Sequence, residues 1–226
     1  MTTKTCFHEN GNIRKRPGFT MNTSQTMTDT FLKKAFPSTY SPVSVNIKDE
    51  AALLKAARRL DQVALAEIFD TYAPALYGYI LRLCHDTEQA DQIVGDVFSK
   101  LLEKLSDGKG PHKNLRSYLY QIAYHLFIDQ TRYDQHIAPI EIVEYISGET
   151  TTVQEEIENR ALLDTVLLAI NNDLTPDQRH VIVLRFLEGM DLQETAKIVD
   201  KSVNNVKVLQ NRGVEKIRKV LGLHYQ

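Results

Sequence analysis

An all-α chain of two small helical domains is predicted from three observations. Apolar residues recur at three- and four-residue spacing through most of positions 48–220. The ten glycines and seven prolines lie mostly outside those stretches. A single acidic segment, Ile137–Glu158, breaks the pattern with Pro139, Gly148 and a threonine run, and reads as a flexible linker.

The elements follow in order. Residues 1–46 are rich in Thr, Ser and Asn and read as a disordered N-terminal extension, with Met21 and Met27 as alternative starts. Within it, Thr30–Phe36 could form one amphipathic turn through Phe31, Leu32, Ala35 and Phe36. The first domain spans 47–134. Leu53, Leu54, Ala57 and Leu60 begin an apolar stripe, and Leu65, Ile68, Phe69 and Tyr72 continue one after a break near Asp61. Pro74 is placed in the first turn of a new helix carrying Leu76, Tyr77, Ile80 and Leu83. Asp86, with Gln89 three residues on, resembles a capping box for a helix over 88–105 whose inner face is Ile93, Val97, Phe98, Leu101, Leu102 and Leu105. Ser106–Asn114 is a loop. Leu115–Arg132 is a further helix with Leu119, Ile122, Ala123 and Leu126 inward. Tyr120, Tyr124 and Phe127 form a second stripe on it, read as core in preference to a base-stacking platform. The linker covers 135–158 and the second domain 159–226. Its helices carry Leu162, Leu163, Val166, Leu167 and Ile170, then Val181, Ile182, Leu184 and Phe186 behind a Thr175-Pro176-Asp177 cap. Gly189 ends the second of these, Leu192–Val199 is short, and Ser202 starts the last.

Composition narrows the function. Hydrophobic residues at 42% and charged residues at 25% are ordinary for a soluble globular protein. No apolar run approaches the ~18–20 residues that span a bilayer, and the first residues lack the apolar core of a secretory leader. Cys6 and Cys84 form no metal or disulfide pattern and fit a reducing cytoplasm. His125 and Asp129 could make half a metal site, but no further ligand accompanies them, and no Walker A loop, GxSxG or HExxH is present. No catalytic residue, metal, cofactor or small-molecule substrate is therefore expected. The net charge of −2 argues against a DNA-coating protein, but its distribution is uneven. Lys197, Lys201, Lys207, Arg212, Lys216, Arg218 and Lys219 face only Asp200 and Glu215, whereas Glu141, Glu144, Glu149, Glu155, Glu156 and Glu158 have no basic residue among them.

Leu192–Gly213 has the features of a helix-turn-helix. Ala196 is the small residue at the helix crossing, and Ile198, Val203 and Val206 close its apolar centre. Ser202 caps the second helix, which places Asn204 and Asn205 in the first turn, where side chains reach base edges in a major groove. Asn and Gln can pair bidentately with adenine, and Lys or Arg with guanine or phosphate. Ser202, Asn204, Asn205, Lys207, Gln210, Asn211 and Arg212 are the expected DNA face. The competing reading is a solvated basic helix in a bundle without DNA.

The run Val206-Lys207, Leu209-Gln210-Asn211-Arg212 and Lys216-Ile217-Arg218, with Leu174–Ile198 before it, resembles region 4 of extracytoplasmic-function sigma factors of the sigma-70 family. Tyr72–Phe98 resembles regions 2.1 and 2.2 of that family, and Leu115–Arg132 its promoter-reading helix. The resemblance covers roughly 50–222. It implies a region 2 bundle and a region 4 helix-turn-helix, and a factor that binds core RNA polymerase and directs promoter recognition and melting. By position, Asp91, Gln92, Val94, Gly95, Asp96 and Ser99 would meet the beta-prime coiled coil, and region 4 would dock near the beta flap. The loop and next helix would capture a flipped base of melted promoter DNA, for which Lys109, His112, Lys113, Asn114, Arg116 and Tyr118 are suitable types. The linker would run through the RNA exit path, or serve only as a solubilising tether. The resemblance also implies an anti-sigma factor, which could hold the chain near the membrane, and a cytoplasmic location. The alternative is a helix-turn-helix regulator acting without core polymerase. The sequence departs from the family at Asp200, a turn position where Gly is usual and where a left-handed backbone is therefore expected of the Asp, and at Gly213, where Ala is usual. Gln121, Tyr124 and His125 also make the region 2 helix less basic.

Overall fold

The structure, a computed structural model, describes residues 50–133 and 165–222. The expectations for residues 1–46 and for the acidic linker lie outside the described residues. Among the described residues every regular element is helical. In the first domain these are α1 (Glu50–Ala57), α2 (Gln62–Cys84), α3 (Thr87–Ser106) and α4 (Leu115–Tyr133). The second contains α5 (165–173), α6 (Pro176–Ile182) continued by a π-helical turn (Val183–Leu187), α7 (Leu192–Ile198) and α8 (Val203–Val220).

Helix boundaries follow local chemistry. Asp61 caps α2 by accepting from the Ala64 N–H at 3.0 Å, and Asp86 caps α3 by accepting from the Gln89 N–H at 3.0 Å. His85 ends α2 in the left-handed region, at φ 57°. Two expectations about its helix boundaries fail. Leu60 does not extend the α1 stripe: it lies in the turn between helices at φ 58° and is 46% exposed. Pro74 does not start a helix but sits inside α2. Proline removes one hydrogen bond from the helix ladder. Here Ile68 and Tyr72 before it and Leu76, Tyr79 and Ile80 after it are all buried, so one continuous apolar face carries the helix across the break.

α2, α3 and α4 pack on one another, with α1 against α2. Ala90, Ile93, Val97, Leu101 and Leu105 of α3 meet Leu115, Leu119 and Ala123 of α4 in the core, whereas Leu102, expected inside, is exposed. Tyr120, Tyr124 and Phe127 are buried, in agreement with the core reading of that stripe.

In the second domain Thr175 and Gln178 form a reciprocal capping box on α6, and Asp191 and Glu194 form another on α7. Val181, Ile182, Leu184 and Leu187 are buried, while Phe186 is only half-buried. The wide turn over Val183–Leu187 closes with the Glu188 N–H donating to the Val183 carbonyl at 3.0 Å. Such a turn inserts an extra residue into the helical register, and Glu188 follows it, buried. Gly189 follows at φ 66°. The two domains, expected to be only flexibly joined, are packed together: α7 lies on α4, and the π turn approaches α2.

Candidate nucleic-acid interface

The second domain presents the helix-turn-helix as two packed helices, α7 and α8. Ala196 is buried at the crossing of α7 and α8, with Ile198, Val199 and Val206 beside it. Asp200 adopts the left-handed conformation (φ 51°) that the sequence requires of it. The Ser202 hydroxyl accepts from the Asn205 N–H at 3.2 Å, which fixes the start of α8. Ser202, Asn204, Asn205, Lys207, Asn211 and Arg212 are exposed. Gln210 is half-buried, and its side-chain carbonyl accepts from Arg185 Nε at 3.1 Å. It is thus braced by the π turn, which limits its freedom to turn to a base. Further along α8, Lys216 donates to the Asp173 carbonyl at 3.1 Å.

Gly213 has a positive reason for being glycine. A Cβ there would lie 2.9 Å from Ile182 Cγ1, so α8 and α6 pack at a separation that only a hydrogen side chain allows.

In the first domain the loop between α3 and α4 is anchored at its base and open at its tip. Arg58 donates to the Gly110 and Pro111 carbonyls at 3.0 and 3.1 Å, and both residues are buried. Glu50 accepts from the Leu115 N–H at 2.6 Å, capping α4 from a distant helix. Lys109, His112, Lys113 and Asn114 remain exposed, and Asn114 takes φ 56°. Tyr118 and Arg116 are half-buried. Arg116 is turned towards the second domain, where it donates to the Glu188 carbonyl and lies 5.6 Å from the Tyr120 ring centroid.

On α3, Asp91, Gln92, Gly95, Asp96 and Ser99 are exposed on one face, and nothing lies within 4 Å of where a Gly95 Cβ would be. Val94 departs from the expectation for that face. It is 7% exposed and packs into the core, because the helical period turns it inward beside Ile93.

Sequence reasoning missed the polar groups between the domains. Arg82 Nη1 of α2 lies 2.7 Å from Glu188 Oε1, and the Tyr120 hydroxyl donates to Glu188 Oε2 at 2.6 Å. Tyr79 Oη and His180 Nδ1 are 2.8 Å apart, and the His180 ring meets Tyr124 and Phe127 edge-on at 4.8 and 5.2 Å. Gln121 donates to the Lys197 carbonyl at 3.2 Å. Burial pushes the Glu188 carboxyl above the usual range, and Arg82, Tyr120 and Arg116 only partly offset it. Burial, with Arg179 adding to it, lowers the His180 ring to about 3. Nothing in the sequence marks these residues, since Glu188 precedes a helix-ending glycine where a solvated acid is ordinary. Among the described residues no group of three or more His, Cys, Asp and Glu could hold a metal ion, and no helix is long and apolar enough to cross a membrane.

Comparison with known proteins agrees with this arrangement. The family model for sigma-70 region 2 matches residues 68–137, and that for sigma-70 region 4 matches residues 172–219. The chain is 29% identical over 166 residues to the ECF RNA polymerase sigma factor SigX of Bacillus subtilis, covering 69% of this chain and 82% of SigX. Its fold is similar to that of CnrH, solved with the cytosolic domain of CnrY (20% identity, TM-score 0.57, 78% of this chain and 99% of CnrH). It is likewise similar to the sigma factor RpoE of Bartonella quintana, solved with the anti-sigma factor NepR (22% identity, TM-score 0.55, 71% of this chain and 98% of RpoE). With both regions present in order in one helical chain, this protein belongs to the sigma-70 family as an extracytoplasmic-function sigma factor, a subunit that directs RNA polymerase to promoters.

Proposed function

We propose how the surfaces divide that task. The exposed acidic face of α3, around Asp91, Gln92, Gly95, Asp96 and Ser99, meets the basic beta-prime coiled coil, since complementary potentials steer and orient such encounters. The first turn of α8, with Asn204 and Asn205 foremost, reads bases of the upstream promoter element. Lys207 and Arg212 hold phosphate there, and the domain docks near the beta flap. The loop tip, with Lys109, His112, Lys113 and Asn114, together with Arg116 and Tyr118, captures the unstacked base. The observation that carries this reading is the exposure of the polar α3 face and of the capped first turn of α8 on one chain. A regulator working without polymerase would have no use for the first of these.

Two further parts rest on likeness. CnrH was solved with the cytosolic domain of CnrY and RpoE with the anti-sigma factor NepR, and on the footing of the second this chain is held by an anti-sigma factor until needed. It works in the cytoplasm, free or tethered near the membrane by that partner. The chain contributes specificity and carries out no catalytic step. Run-off transcription by core polymerase on a promoter library, with and without the full chain, tests the reading. Transcripts should start from a defined promoter class only when the chain is present; promoter binding without core polymerase, and no gain in transcripts, would favour the independent regulator.

A further inference from the structure

We propose that Glu188 is an interdomain latch that holds the helix-turn-helix domain closed over one side of α4, and that DNA capture by α4 requires the latch to open. The proposal rests on the reading above that α4 and its preceding loop capture DNA.

Glu188 is held by donors from the other domain, Arg82, Tyr120 and Arg116. Its two carboxylate oxygens are used separately, Oε1 by Arg82 at 2.7 Å and Oε2 by the Tyr120 hydroxyl at 2.6 Å, and its backbone carbonyl takes Arg116. The residue is only 5% exposed and follows the π turn at the interface. His180 makes a second closure nearby, between Tyr79, Tyr124 and Phe127.

The closed state competes directly with DNA. Arg116 must turn from the Glu188 carbonyl and the Tyr120 ring to bring its guanidinium fully onto an unstacked base or a phosphate. A buried ion pair suits a device that must open. Charge desolvation offsets much of its attraction, so the intact pair adds little net stability, yet loss of one partner strands the other charge in the interior. Removing either member should therefore drive the domains apart.

The test uses the full chain with spin labels on cysteines placed at Lys100 and Lys219, both exposed, and Cys6 and Cys84 replaced by serine. Interdomain distances are measured by electron–electron double resonance for the parent, Glu188→Gln and Arg82→Met, with helicity read in parallel. The parent should show one short-distance population. Each variant should shift the closed-to-open ratio by at least about tenfold towards longer distances. The half-maximal concentration for run-off transcription with core polymerase should fall several-fold. The swap of Arg82→Glu with Glu188→Arg should recover the short distances. Should one variant fail to fold, the other breaks the same contact from the opposite domain. Folded variants with the parent's distance distribution would overturn the latch. Absence of run-off with the parent chain would sink the sigma reading, while the distances would still decide the latch.

Discussion

Asn205 and Lys207 lie two residues apart on α8 and are both exposed, yet their chemistry assigns them different work. An amide in the first helical turn can pair with a base edge, whereas an ammonium on a flexible stem holds phosphate as a point charge. Asn205→Ala should cost ~1–3 kcal/mol on the matched promoter and change the preferred upstream bases. Lys207→Ala should weaken all sequences alike and reduce the salt slope by about one. Holoenzyme binding to a promoter library at two salt concentrations measures both, and a changed base preference in the lysine variant alone would reverse the assignment. Lys216 is a poorer phosphate candidate than its charge suggests, because it is engaged by the Asp173 carbonyl. Gly213 shows how packing can reverse a propensity argument. Alanine would gain up to ~1 kcal/mol in helix propensity, but its Cβ would be 2.9 Å from Ile182 Cγ1, part of a branched, fully buried side chain with little room to turn. Overpacking of this kind costs ~1–3 kcal/mol. Gly213→Ala should therefore lower the melting temperature, and an unchanged or higher value would show that α8 can move away without cost.

Among the elements, α3 divides sharply by face. Ile93, Val94, Val97, Phe98 and Leu101 hold the bundle, and Asp91, Gln92, Gly95, Asp96 and Ser99 stand on the outside. Charge reversal of Asp91 and Asp96 to Lys should then weaken binding to core polymerase at least tenfold while leaving helicity intact. Calorimetric titration of the folded variant decides this, and unchanged affinity would remove α3 from the interface. The π turn gives the clearest contrast with sequence reading. A regular helical period turns position 188 to the side of Val181 and Leu184, but a Glu beside a helix-ending glycine reads as solvated; it is buried behind the π turn, whereas Phe186, expected inside, is only half-buried. Pro74 misled for a related reason. A proline is read locally as a start or stop, but burial on both sides of it outweighs one missing hydrogen bond.

At the level of the whole molecule, pH should act on the contact between the domains. His180 faces Tyr79 of α2 and Tyr124 and Phe127 of α4, with Arg179 beside it on α6 and Glu188 further along the same segment. Its ring is lowered from 6.5 to about 3, so the folded chain holds it neutral. The stability it contributes is complete above pH 6.5 and is lost as pH falls from there towards 3, because the exposed ring takes up a proton that the buried ring refuses. Over that window the loss is at most about 1.4 kcal/mol per pH unit. Glu188 acts in the opposite sense: its raised carboxyl binds a proton more readily when buried, which softens the loss at the acid end. Chemical denaturation between pH 7.5 and 5 should show falling stability in the parent chain and a flatter profile in His180→Gln. Equal slopes for the two would show that the ring is not buried as a neutral group in solution.

Much of this protein was determined by sequence alone. Apolar spacing placed the helices, Asp61, Asp86, Thr175 and Ser202 set where several of them begin, and the unusual Asp200 turn was anticipated from its residue type. These are local effects, decided by hydrogen bonds and side chains within a few residues. The first turn of α8 and the outer face of α3 were legible for the same reason, since a capped or amphipathic helix declares which side meets solvent. The tertiary structure alone decided that Val94 and Glu188 point inward, that Gly213 is a packing contact, and that Arg82, Arg116, Tyr79 and Tyr120 join the two domains. Each of those outcomes depends on a partner a long way off in sequence: Arg82 and Glu188 are 106 residues apart, and Tyr79 and His180 are 101 apart. No periodicity or motif within a short stretch carries information about such a partner, because the energy of a buried charge or a close helix approach exists only once the two surfaces have met.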